Sequence, residues 1–157
     1  QFPTPEALAD ADLASIGLTR SRADTVRGVA RALLDGRVDF RAERTLEDFV
    51  ARWVALPGIG PWTAHYIAMR ALGHPDAFPT DDLVLRQQAG GEGDTVTGKA
   101  LAALAEQWRP WRAYAVIHLW RDAALKADAL RPVQPSRSPR HAPTAPAARI
   151  SPTGAKS

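Results

Sequence analysis

At 157 residues the chain has the length of about one domain and enough sequence to bury a core. It has no cysteine, which excludes disulfides, thiolate zinc sites and iron–sulfur clusters, and it shows neither a signal-peptide pattern nor a long uncharged apolar run. A soluble protein of the cytoplasm is expected, with no membrane partner. The net charge of +3 is unevenly placed: no acidic residue follows Asp128, whereas Arg131, Arg137, Arg140, Arg149 and Lys156 do. Taking those five from the 20 basic residues leaves 15 against 17 acidic ones. The basicity therefore belongs to residues 131–157, whose Pro/Ser/Ala/Arg-rich composition predicts a disordered, solvated tail, with weak, salt-sensitive contact with phosphate as the alternative.

Residues 1–130 read as one all-α domain, a string of short helices without sustained strand-type alternation. Thr4-Pro5-Glu6 offers a hydroxyl cap followed by proline at the first helical position. A longer helix is predicted from about Ser21 to Asp35, with Val26, Val29, Ala30, Leu33 and Leu34 on one face and Gly36 as its stop. Thr45-Leu46-Glu47-Asp48 resembles a capping box, and Leu46, Phe49, Val50, Trp53 and Val54 recur at helical spacing before Pro57. Further helices are expected over 61–72 with Gly73 behind, briefly after Thr80, over 99–108, and from Pro110 to about Lys126. The segment "QAGGEGDTVTG" reads as a loop. Trp53, Trp108, Trp111 and Tyr114 lie in amphipathic helices and are expected in the core. His65 and His118 have no acidic or histidine partner at metal-ligand spacing, so no side-chain metal site is expected.

Between the third and fourth of these helices stands a tight turn, Leu56-Pro57-Gly58-Ile59-Gly60, with Pro61 opening the helix behind it. Such a hairpin leaves turn N–H groups and a helix N-terminus pointing outward. Those donors and the helix dipole make a phosphate site that needs no basic side chain, so a slightly acidic domain can still hold a phosphodiester. Ile59 is expected to anchor the turn in the core.

Three segments in order carry a resemblance: "LPGIGPWTAHYIAMRALGHPDAFPTDDLVLRQ", "RPWRAYAVIHLW" and "IGLTRSRADTVRGVARALLDG". The first resembles the helix-hairpin-helix plus Gly/Pro/Asp motif of the DNA base-excision glycosylases. With the other two, the chain over about residues 2–125 is similar to the AlkA-type 3-methyladenine DNA glycosylase II family. The resemblance implies a monomer acting on double-stranded DNA that contains alkylated bases, associated with the nucleoid. It implies no cofactor beyond a monovalent cation on the hairpin's backbone carbonyls.

Enzymes of that family break the N-glycosidic bond of an extruded nucleotide, and a fixed anion stabilises the oxocarbenium-like sugar and orients or deprotonates the attacking water. Asp81 and Asp82 are both candidates for this carboxylate, and either could instead be a plain helix-capping acid; the resemblance selects Asp82, twenty positions beyond Trp62, with Asp81 as the alternative catalytic one. It also places Trp62, Tyr66 and Trp120 around the extruded base, where electron-rich ring faces favour cationic alkylated purines by about 0.5–2 kcal/mol per contact. At the position of Trp62, related enzymes that also cleave the DNA backbone carry a lysine for Schiff-base chemistry. Tryptophan has no such amine, which implies a monofunctional hydrolase. The family's β-rich N-terminal domain and the wedge that enters the duplex have no counterpart here, so the chain is expected to be the C-terminal part of such an enzyme. Alone it is expected to bind DNA weakly and to excise little. The alternative is a non-catalytic helix-hairpin-helix DNA-binding module, in which Asp82 would be dispensable.

Overall fold

The computed structural model describes residues 2–41, 45–91 and 93–129. Among them are α1 (Pro5–Ala9), α2 (Arg20–Leu34), α3 (Leu46–Val54), α4 (Pro61–Ala71), α5 (Leu83–Gly90), α6 (Gly98–Ala105) and α7 (Arg112–Ala129), with a 3-10 turn over Glu106–Trp108 and no strand. The predicted tail at 131–157 lies outside the described residues.

Most helix starts follow from their caps. Thr4, Thr19, Thr45 and Thr97 each accept a hydrogen bond from the backbone N–H three residues on, and Asp82 does the same for α5. Gly36 and Gly73, behind α2 and α4, take the positive φ that ends a helix without strain. The predicted loop at 88–98 begins later than its composition suggested. The helix continues through Gly90, and only Gly91, at φ +81°, turns the chain out of it. Arg86 then clasps the loop, its backbone oxygen accepting from Val96 N–H and its Nε donating to Val96 O at 2.7 Å.

The core joins α3, α4, α5, α6 and α7. Leu46, Phe49 and Trp53 of α3 meet Ala64, Ala68 and Met69 of α4, with Phe78, Leu85, Leu101, Ala105, Ala113 and Val116 completing the cluster. Phe49 and Trp53 are fully buried, and truncating either would cost on the order of 3–5 kcal/mol. The expectation of core burial holds for Trp53 and in part for Trp108, which lies edge-on against Phe78. It fails for Trp111 and Tyr114, which are more than half exposed and stack edge-on against each other at the helix entrance. The register of α7 instead turns Arg112, Ala113 and Val116 inward. Leu34 is likewise exposed, at the edge of the predicted α2 stripe, while Val26, Val29 and Leu33 are half-buried and line an open apolar groove with Phe2, Phe40 and Ile59.

The segment from His74 to Asp82 has no regular structure, and it is fixed at several points. Arg112 sends Nε to Asp76 Oδ1 at 2.6 Å and Nη2 to both Asp76 Oδ2 and the Asp76 carbonyl, with both side chains nearly buried. Arg109 adds a bond to Asp76 Oδ2, and Glu106 bonds both arginines. Ala113 N–H donates to Pro75 O at 2.8 Å, which ties the start of α7 to the same segment. On the other side, Phe78 N–H donates to His65 Nδ1 of α4. That bond requires a neutral imidazole, and burial, helped by the nearby Arg112 charge, pushes the His65 pKa down.

Two outcomes are expected. Arg112→Met leaves the nearly buried Asp76 carboxylate with Arg109 as its one remaining arginine partner and should lower unfolding free energy by about 3 kcal/mol in denaturant titration, with Arg112→Lys losing less because a charge is kept while the bidentate geometry is lost. For His65, a depressed folded pKa means the unfolded chain takes the proton first as pH falls below about 6.5, so the stability it confers is complete above that value and drains away beneath it. His65→Asn, which keeps an acceptor for Phe78 but cannot titrate, should flatten the decline of Tm between about pH 6.5 and 5.

Candidate functional site

The helical hairpin forms as its sequence suggests, but its two glycines do different work. Gly58 has φ +84°, and a Cβ there would fall 2.0 Å from Thr25 Oγ1, so the turn rests directly on α2. Gly60 has an ordinary φ of −92° and open space where a Cβ would go. It is the N-cap of α4, and unlike Thr4, Thr19, Thr45, Asp82 and Thr97 it supplies no side-chain cap. The first-turn N–H groups of α4 are therefore left to outside partners. Leu56 and Ile59 are buried beneath the turn, and Pro57 and Gly58 are exposed. Leu56 O and Gly60 O already accept from Ile59 and Ala64 N–H. The Pro57, Gly58 and Ile59 carbonyls accept no such turn or cap bond from the described residues.

Trp62 follows in the first turn of α4, and Tyr66 one turn later. Their rings stack at 5.2 Å and 10° between planes, and Trp120 of α7 leans on Tyr66 at 6.1 Å. Trp62 and Tyr66 are over a third exposed, so the three rings form an open shelf. The carboxylate of Asp82, only 8% exposed, sits against this shelf. Its Oδ2 accepts from Trp62 Nε1 at 2.8 Å, and its Oδ1 accepts from Trp120 Nε1 at 3.2 Å and from Leu85 N–H at 2.9 Å. Asp82 is thus at once the cap of α5 and the partner of both indoles, on elements that the His74–Asp82 segment and α7 bring together.

Asp81 goes elsewhere. It is exposed, and its Oδ1 lies against Gly98 at the start of α6, where a Cβ would come within 2.7 Å of it. The structure therefore brings together Asp82, Trp62, Tyr66 and Trp120 and leaves Asp81 out. Sequence reasoning missed Thr25 and the Asp76–Arg112 pair, whose partners stand 33 and 36 residues apart, a separation that no local spacing reports. It also missed that the two indoles point their N–H groups at the carboxylate. Among the described residues no three His, Asp or Glu side chains converge as a metal site, and no helix is long and apolar enough to cross a membrane.

The helical fold is that of the helix-hairpin-helix DNA glycosylases. It matches the solved Schizosaccharomyces pombe 3-methyladenine DNA glycosylase, in complex with abasic DNA, at a TM-score of 0.72 and 26% identity over 79% of this chain and 65% of that one. More narrowly, the chain is similar in sequence to AlkA-like 3-methyladenine DNA glycosylases over part of their length. It is 41% identical over 119 residues to the Mycobacterium tuberculosis "Probable bifunctional transcriptional activator/DNA repair enzyme AlkA", covering 76% of this chain and 24% of that protein. It is 36% identical over 130 residues to DNA-3-methyladenine glycosylase 2 of Escherichia coli, covering 81% and 45%. The chain thus spans a quarter to a half of these curated relatives. No family model matches it.

The two hairpin glycines predict opposite outcomes in one thermal-melting experiment. Gly58→Ala drives a methyl into Thr25 at a positive φ and should cost at least about 2 kcal/mol. Gly60→Ala, with free space and a negative φ, should melt within about 1 kcal/mol of the parent.

Proposed function

We propose that the chain carries the catalytic half of a monofunctional DNA glycosylase that hydrolyses the N-glycosidic bond of alkylated purines such as 3-methyladenine during base excision repair. The observation that carries this reading is Asp82, a nearly buried carboxylate at a helix N-terminus whose two oxygens are held by indole N–H groups beside an open aromatic shelf. As the glycosidic bond breaks, its electron pair leaves with the base and positive charge grows on the sugar. The Asp82 anion would stabilise that charge. Water then adds its oxygen to the anomeric carbon and gives up a proton to the carboxylate, leaving an abasic site.

The shelf of Trp62, Tyr66 and Trp120 would take the extruded base by stacking. A cationic alkylated purine gains about 0.5–2 kcal/mol per ring face over a neutral one, and its weakened glycosidic bond supplies further selectivity. Trp62 offers no amine for a Schiff base, so strand cleavage is not part of the reaction. The hairpin Leu56-Pro57-Gly58-Ile59-Gly60 would hold a backbone phosphate through the uncapped N-terminus of α4. Nothing in the fold needs a glycine at Gly60, which supports the idea that its bare surface serves a close-approaching phosphate. A monovalent cation on the free carbonyls would supply charge there. The protein acts as a monomer on double-stranded DNA, in the cytoplasm at the nucleoid, with no other cofactor.

The test is release of 3-methyladenine from methylated duplex DNA by the full gene product and by these 157 residues alone. The full product should excise the base, the isolated chain should do so poorly, and Asp82→Asn should abolish excision while leaving DNA binding within about twofold. Borohydride should trap no covalent adduct. No excision by the full product, with DNA binding intact, would instead leave the chain as a non-catalytic DNA-binding module, and full excision by Asp82→Asn would remove Asp82 from the reaction.

A further inference from the structure

Resting on the reading just given, we propose that Trp62 and Trp120 are positioning residues for Asp82 as well as walls of the base site, and that Oδ2 is the oxygen that acts. Stacking alone asks only for a ring face, which phenylalanine or tyrosine supplies. Core packing does not explain the choice either, because Trp62 is over a third exposed and water could satisfy its N–H. What distinguishes these two indoles is direction. One comes from α4 and the other from α7, 58 residues apart in sequence, and their Nε1 atoms close on opposite oxygens of the same carboxylate.

A carboxylate offers about four lone-pair directions, two on each oxygen. On Oδ1 both are taken, by Leu85 N–H at 2.9 Å and Trp120 Nε1 at 3.2 Å. On Oδ2 one is taken, by Trp62 Nε1 at 2.8 Å. The remaining lone pair on Oδ2 is the acceptor left for the sugar's charge or a water proton. Donors on three helices also fix the carboxylate's rotation about its Cβ–Cγ bond, so this lone pair is aimed before substrate arrives. Charge-assisted bonds of this kind hold an ionised acceptor in place more firmly than neutral ones. A second consequence concerns recognition. With each indole N–H committed to Asp82, neither ring can hydrogen-bond an extruded base, and both read it only through their faces.

The test replaces each tryptophan singly by phenylalanine, which keeps an aromatic face and removes the N–H. Base release by the full gene product is followed under single-turnover conditions across a range of enzyme concentrations. If the indoles position Asp82, Trp62→Phe and Trp120→Phe each lower the rate at saturating enzyme by about tenfold or more, while the half-saturating concentration stays within about threefold. If they only stack, the half-saturating concentration rises and the saturated rate stays near that of the parent, which overturns the proposal. Affinity for duplex DNA with an abasic site, measured alongside, identifies a folded variant. Should Trp120→Phe fail that control, Trp62→Phe, whose ring remains over Tyr66, decides the matter. No base release by the parent would sink the underlying hydrolase reading and parental activity in Asp82→Asn its assignment to Asp82, whereas an inactive Asp82→Asn beside fully active phenylalanine variants would sink this proposal alone.

Discussion

The Asp76–Arg112 pair is the constraint on which the rest of the described structure depends. It joins an irregular segment, which ends at Asp82, to the first turn of α7, which ends its inward face at Trp120. Buried ion pairs of this type add little net stability over a hydrophobic substitute, since both charges must give up water. Their contribution is geometric: a planar guanidinium bidentate on a carboxylate, with a third bond to the same residue's carbonyl, admits one arrangement. Through it the distance between a carboxylate and an indole 38 residues away is set by covalent reach from a single anchored point.

The fold was largely readable because its signals are local. Threonine caps, a proline at a helix start and glycines behind helix ends are each decided within one turn of chain, and most element boundaries follow within a residue or two. The errors share one cause. Trp111, Tyr114 and Leu34 are large apolar residues at helix positions that periodicity assigns to a buried face, but whether a face is covered depends on what packs against it. At α7 the inward position went to a guanidinium because Asp76 was waiting for it, and no pattern within α7 announces a partner in another segment.

The site was legible in part. That Asp82 and not Asp81 faces the rings was implied only by the resemblance, and the structure adds the means: Asp82 caps α5 and turns its carboxylate inward, while Asp81 turns toward α6. The different duties of Gly58 and Gly60 could not be read, because they depend on Thr25, a contact between helices. Nor does an overall charge of +3 describe this surface, since the hairpin presents backbone dipoles and needs no cationic side chain.

The stacked pair of Trp62 and Tyr66 bears on how an aromatic site comes to be ready. Two rings nearly parallel at 5.2 Å, one tethered through its N–H to a buried carboxylate, have already surrendered their rotamer freedom. A flat cationic guest laid on the outer face would lengthen an existing column of rings, and would not have to assemble one. The ordering that weakens most encounters between flexible side chains and small flat molecules is thus complete in the folded chain, so nearly all of the stacking attraction remains available to hold the guest.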